Sequence, residues 1–214
     1  MLTSALADVS AWPADCRDTC GNIFGQSLRA FTPPIPANAH VLEIGCCEFD
    51  ALKIATTAWP EMTFTGIDWR PSKAKGGRET RIQGDVMTAD FAPASFDWIY
   101  SVSAIEHIGL GHYKADPKAD DGDIVAMRNA YRWLKPGGWM YFDVPWNEGT
   151  GAYEVVRTSH RVYDDTAAWS RLLLGHWIVR WTGVYGRGGE PVANPHRLKG
   201  GESFYYKAFW LQKD

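Results

Sequence analysis

Between residues 106 and 123 the chain reads EHIGLGHYKADPKADDGD, two imidazoles and a series of carboxylates within one short run. Imidazole titrates near neutral pH, which makes His107 the first candidate for a general base. A second candidate, His160, stands in RTSHRVYDD, and Asp143 stands in FDVPW on an apolar segment from which it can face either way. His107, His112, Asp116, Asp120, Asp121 and Asp123 are also residue types that bind divalent ions. Their spacing matches no calcium loop, and carboxylates ahead of a helix commonly act as caps, so no metal site is expected.

A second group surrounds HVLEIGCCEFD, residues 40 to 50, which begins as a buried strand and runs into a turn. In an open α/β sheet, ligands sit at the carboxyl ends of the strands where strand order reverses, and Glu43 and Gly45 fall there. Gly45 allows a sharp turn and a close approach of backbone to ligand. A dinucleotide site needs G-x-G-x-x-G, so that a helix N-terminus meets the pyrophosphate. Here the pattern is G-C-C-E-F-D, and Glu48 and Asp50 put negative charge where the pyrophosphate would lie. That argues against NAD, FAD and nucleoside phosphates. A cofactor without phosphate, carrying a cationic, amino-acid-like end, suits the acids better.

The elements that must hold these groups alternate along the chain. HVLEIG, MTFTGID, RIQGDV, FDWIYSVS and WMYFDVPW read as strands, with FDALKIATTAW and DIVAMRNAYRWL as amphipathic helices between them. DDTAAWSRLLL begins with a capping Asp and reads as a further helix. HWIVRWTGVYG and ESFYYKAFWLQ close the chain as two strands with no helix between them. The expectation is an α/β fold, a doubly wound, seven-stranded, mostly parallel sheet with an antiparallel C-terminal hairpin. Residues 1–37, ending in the proline-rich TPPIPAN, read as an N-terminal arm or cap, and 38–214 as one domain.

Composition sets outer bounds. A chain of 214 residues, 45% apolar and 22% charged, buries a full core. Its formal net charge of -3 supplies no general attraction to nucleic acid or anionic membrane. The four cysteines include an adjacent pair, Cys46 and Cys47, and Cys16 and Cys20 at helical spacing, which is neither a disulfide framework nor a zinc pattern. The first residues lack the basic region of a signal peptide, and no apolar run approaches the roughly 18 residues of a membrane span. A soluble, cytoplasmic protein is expected, with its oligomeric state open.

VLEIGC at 41–46, GIDWRPS at 66–72, GDV at 84–86, SFDWIYSVSAIEHIG at 95–109 and LKPGGWMYFDVP at 134–145 resemble, in order, the motifs of class I S-adenosylmethionine-dependent methyltransferases. SAIEHIGLGHY followed by DGDIVAMRNAYRWLKPGG is also similar to a little-characterised methyltransferase-like group within that family. The resemblance covers about residues 38–214 and implies S-adenosylmethionine as cofactor. It implies Asp68 as acceptor for both ribose hydroxyls, Asp85 for the adenine amino group with the Val86 backbone beside it, Glu43 and Gly45 at the methionine end, and Ser101 to Ser103 beneath the sulfonium. Glu106, His107 and His160 then stand at the rim where the acceptor arrives. Cys47 and Phe49 occupy positions where the family has its second and third turn glycines.

The acceptor is narrowed by what is missing. The Asn/Asp-Pro-Pro-aromatic motif of amino-directed nucleic-acid methyltransferases is replaced by SVSA, and no Pro-Cys nucleophile occurs. A small-molecule or saccharide hydroxyl is therefore expected, with nucleic acid disfavoured. Three alternatives stay open. The chain could act on protein or RNA through the basic stretch RPSKAKGGRETR at 70–81. It could be a non-catalytic binding domain with a degenerate cofactor turn. It could be a nicotinamide-dependent oxidoreductase, against which Glu48, Asp50 and the closing hairpin argue. Trp12, Trp146, Trp169, Trp177 and Trp181 supply either core or a stacking platform, and the Gly- and Pro-rich loop 186–201 a lid or an edge connection.

Overall fold

A computed structural model describes residues 19–46, 59–71, 79–113, 116–148, 154–156, 159–174, 176–193, 195 and 205–214. The helix expected from Phe49 to Trp59 lies almost entirely outside them, as do Cys47, Glu48, Phe49, Asp50 and Trp12.

Helix α1 (Thr19–Ala30) precedes β1 (His40–Ile44), β2 (Thr63–Asp68), β3 (Thr80–Gln83) and β4 (Phe96–Ser101). A single 3₁₀ turn, Ile105–His107, leads on to α2 (Gly122–Trp133) and the long β5 (Leu134–Trp146). A small hairpin of β6 (Glu154–Val156) and β7 (His160–Val162) follows, then β8 (Trp177–Tyr185) and β9 (Tyr205–Lys213). Seven strands form one sheet in the order β3-β2-β1-β4-β5-β9-β8. The first five are mutually parallel, while β9 runs antiparallel to both β5 and β8. This is the architecture the strand pattern implies. Strand order reverses between β1 and β4, so a crevice opens at their carboxyl ends.

Alternation along the strands divides the core into two layers. Val41, Trp98, Tyr100, Tyr141 and Trp210 face one side, where Ile23, Phe24 and Leu28 of α1 cover them. Phe24 stacks on Tyr100 at 5.4 Å and meets Tyr141 at 4.7 Å between ring centroids. Leu42, Ile44, Ile99, Met140 and Phe142 face the other side, against Ala126, Met127, Ala130 and Trp133 of α2. Those four recur at helical spacing and form the apolar stripe of α2. Cover on both faces explains why β1 and β5 read as nearly unbroken apolar runs.

Two local expectations are corrected. DDTAAWSRLLL forms only a short helical turn, Asp165–Ala167, which passes into a π-helical turn, Ala168–Leu172. The capping Asp is Asp164, whose Oδ1 accepts from the Ala167 amide at 2.7 Å. The stretch before β7 also carries a strand of its own, β6, which among the described residues pairs with β7.

Candidate active site

The ends of β1, β2, β3 and β4 enclose a cavity of about 300 Å³. Gly45, Asp68, Asp85, Val86, Ser103, Glu106, His107, His160 and Tyr206 are among the residues that line it. Six of the eight expected site residues therefore share one cavity.

Gly45 follows β1 with φ +92°, and its amide donates to the Ile67 carbonyl at 2.9 Å. A Cβ here would sit 2.4 Å from that of Ala104, so the turn requires glycine. The next residue is pinned from β3, where the Arg81 guanidinium donates to the Cys46 carbonyl at 3.2 Å. Cys46 is a buried free thiol, pushed up to about 12 by burial and by the charges of Glu43 and Asp68.

Asp68 ends β2 with a nearly buried carboxylate. Its Oδ1 accepts from the Arg70 amide at 2.8 Å and from Arg70 Nε at 3.1 Å, and its Oδ2 accepts from Arg70 Nη2 at 3.2 Å. The same guanidinium lies 4.1 Å over the ring of Tyr113, across the mouth of the cavity. Asp85 closes an Asx turn on the Met87 amide at 2.8 Å. Asn129 of α2 donates to the Val86 and Met87 carbonyls, which ties that turn to the helix. Trp69, next to Asp68 in the chain, is partly exposed on the cavity wall, whereas Trp146 is core and Trp169 points outward.

Two expected residues lie elsewhere. Glu43 is buried away from the cavity and accepts from the Tyr100 hydroxyl at 3.1 Å. Ser101 is fully buried and donates to the Ile44 carbonyl at 3.1 Å, so it locks β4 to β1. Its place on the wall is taken by Val102, Ser103 and Ala104. Ser103 adopts φ +43°, held by its amide and hydroxyl, which donate to Asp143 Oδ1 at 3.1 and 2.7 Å. Asp143 thus faces inward. Its Oδ2 accepts from Tyr141, and burial raises it to about 7, with the nearby Glu106 adding to the shift.

His107 and His160 also line the cavity. Nδ1 of His107 is hydrogen-bonded to the Ser159 carbonyl. A carbonyl only accepts, so the proton is on Nδ1 and the lone pair on Nε2. His160 bonds through Nδ1 to the Ser159 hydroxyl at 2.8 Å, and burial together with the charges of His107 and His112 lowers its pKa. The rings of His112 and His160 each lie 6.1 Å from that of His107. Glu106 is 1% exposed, and burial raises it to about 8. The acidic run divides from there. Asp116 stays at the cavity, while Asp123 turns inward to Arg171 at 2.7 Å and to the Tyr163 hydroxyl at 2.9 Å. Among the described residues no group of three or more His, Cys, Asp or Glu is gathered to hold a metal ion. No described helix is long and apolar enough to cross a membrane.

The cavity suits a nucleoside without phosphate. Carboxylates rather than amide cradles meet the polar edges, Ile67 and Val86 supply apolar wall, and the close packing at Gly45 leaves room only for backbone beneath a ligand. The known proteins agree. A family model described as a methyltransferase domain matches residues 42–142. No curated protein matches the sequence. Among solved structures, the chain is similar to the Burkholderia thailandensis 1,6-didemethyltoxoflavin-N1-methyltransferase, solved with 1,6-didemethyltoxoflavin and S-adenosylhomocysteine. The identity is 15% and the TM-score 0.62, over 96% of this chain and 81% of that one. It is similar to the N-methyltransferase NodS of Bradyrhizobium japonicum in complex with S-adenosylhomocysteine, at 15% identity and TM-score 0.56, over 97% and 94% of the two chains. A chain from the complex of the Haloferax volcanii Trm112 methyltransferase activator also matches, at 15% identity and TM-score 0.67, over 92% and 91%. At such identities the likeness establishes the fold. The matched domain, the reversal-point cavity and the ordered motifs from VLEIGC to LKPGGWMYFDVP point the same way: residues 42–142 match a methyltransferase domain, and the chain has the fold of the S-adenosylmethionine-dependent methyltransferases it is similar to.

Proposed function

We propose that the protein transfers the methyl group of S-adenosylmethionine to a hydroxyl of a small molecule or saccharide. The observation that carries this reading is the orientation of His107. The Ser159 carbonyl holds its Nδ1–H, which leaves Nε2 as the basic nitrogen of a residue that lines the same cavity as Asp68 and Asp85. The cofactor supplies a sulfonium methyl, and transfer breaks its carbon–sulfur bond, forms a carbon–oxygen bond, leaves a neutral thioether and releases the hydroxyl proton. His107 Nε2 takes that proton. Asp68 and Asp85 would accept from the nucleoside, Gly45 would let the backbone come close, and Ser103, fixed by Asp143, lines the same cavity. The basic stretch that would dock protein or RNA lies largely outside the described residues, at 72–78.

Transfer of labelled methyl to hydroxyl and amine acceptors, with His107→Gln alongside, tests the reading. The variant should lose about a hundredfold or more in turnover on hydroxyls, the contribution of a positioned base, and still bind S-adenosylhomocysteine. Transfer to amines alone would overturn it.

A further inference from the structure

The carboxyl of Glu106 is a loose end at the cavity. It lines the wall beside His107, it is 1% exposed, and its Oε2 has no hydrogen-bond partner among the described residues. A buried polar atom left unsatisfied is costly, and in a binding cavity the partner that relieves the cost is a ligand atom. Oε1 of the same carboxyl lies 3.7 Å from His107 Nε2, too far for a direct hydrogen bond. Two polar groups at that separation, each reaching about 2.8 Å, suit two oxygens on neighbouring carbons.

We infer that Glu106 binds the second oxygen of a vicinal diol whose first oxygen is methylated, which makes it the residue that selects the acceptor. The inference rests on hydroxyl transfer with His107 as base. The reacting hydroxyl gives its proton to His107 Nε2 as the carbon–oxygen bond forms, and the adjacent oxygen accepts from the Glu106 carboxyl, which transfers nothing. Burial keeps that carboxyl protonated at neutral pH, so it has a hydrogen to donate and no charge to attract an ammonium group. An acceptor with a single hydroxyl leaves the Glu106 oxygen unsatisfied.

The test measures labelled methyl transfer to catechol and methyl glucoside as vicinal diols, to phenol and cyclohexanol as single hydroxyls, and to benzylamine. Wild type, Glu106→Gln and Glu106→Leu are compared, each first shown to bind S-adenosylhomocysteine. At least one diol should exceed its single-hydroxyl counterpart in kcat/KM by about tenfold or more, as expected where a site loses a bonding partner. Glutamine, which keeps a neutral donor, should retain that preference. Leucine should abolish it, chiefly through KM for the diol. Equal rates on diols and single hydroxyls, a preference that survives Glu106→Leu, or no transfer to any diol would overturn the inference. Of these, equal rates leave hydroxyl transfer standing, whereas transfer to benzylamine alone removes hydroxyl transfer itself.

Discussion

Arg70 occupies the Asp68 carboxylate with three donors, its backbone amide, Nε and Nη2, and lays the same guanidinium on Tyr113. A carboxylate has about four lone-pair sites, so most of the Asp68 capacity is already committed. A ribose that bonds Asp68 must displace the side-chain part of this clasp. Asp68→Ala should weaken S-adenosylhomocysteine binding by about tenfold or more, the scale of hydrogen bonds to a charged group. Arg70→Ala should leave affinity unchanged or tighten it, because it removes a competitor. Calorimetric titration of both variants separates the two roles, and an equal loss in both would show that Arg70 orients the carboxylate instead.

Gly45→Ala should abolish cofactor binding. The added methyl would meet Ala104 Cβ at 2.4 Å, at a φ of +92° that an L side chain rarely adopts. The strain falls on a turn and not on the core, so circular dichroism should show a folded protein. Retained affinity in that variant would mean that the turn has room to move.

Stability should fall as pH rises above the ordinary carboxyl range. Burial raises Glu106 from 4.5 to about 8 and Asp143 from 3.8 to about 7. In both, the native state keeps a proton that the unfolded chain releases, so the contribution is complete below the unfolded value and is lost as pH climbs through the folded one. Glu106→Gln removes one titration and should flatten the decline in Tm between 4.5 and about 8. Parallel curves for variant and wild type would contradict the protonated assignment.

Helix α1 should be part of the core and not a detachable arm. Phe24→Ala removes the ring that stacks on Tyr100 and touches Tyr141, and should cost about 3–5 kcal/mol in urea unfolding. A loss below about 1 kcal/mol would place α1 outside the cooperative unit.

The strand order and the cavity acids were legible because they are local signals. Short apolar runs ending in Glu-Ile-Gly, Gly-Ile-Asp and Gly-Asp-Val announce both a strand and what stands at its carboxyl end. Ser101 and Ser103 were harder to tell apart. Alternation sends Ser101 into the β1–β4 seam, and the positive φ of Ser103 follows from Asp143, 40 residues later. Glu43 was misplaced for the same kind of reason, since the Tyr100 hydroxyl that bonds it is 57 residues away. Asp143 could not be oriented until Tyr141 and Ser103 were seen to converge on it. The short β6–β7 hairpin carries too little periodic sequence to be read. Nothing local marks Glu106 as a buried acid, because its burial comes from the segment carrying His160 and Arg161.

The reversed direction of β9 has a consequence for how such a protein diversifies. Because β9 runs against β5, its first residues, Tyr205 and Tyr206, pair with Trp146 and Pro145, and Tyr206 lines the cavity from the antiparallel part of the sheet. The connection between β8 and β9 therefore leads into the strand that carries Tyr206. Insertions, deletions or grafts there are expected to act on the cavity through Tyr206, away from the strand ends that carry Gly45, Asp68 and Asp85. Chimeras exchanged across this connection, assayed on a panel of acceptors, would show whether specificity travels with it.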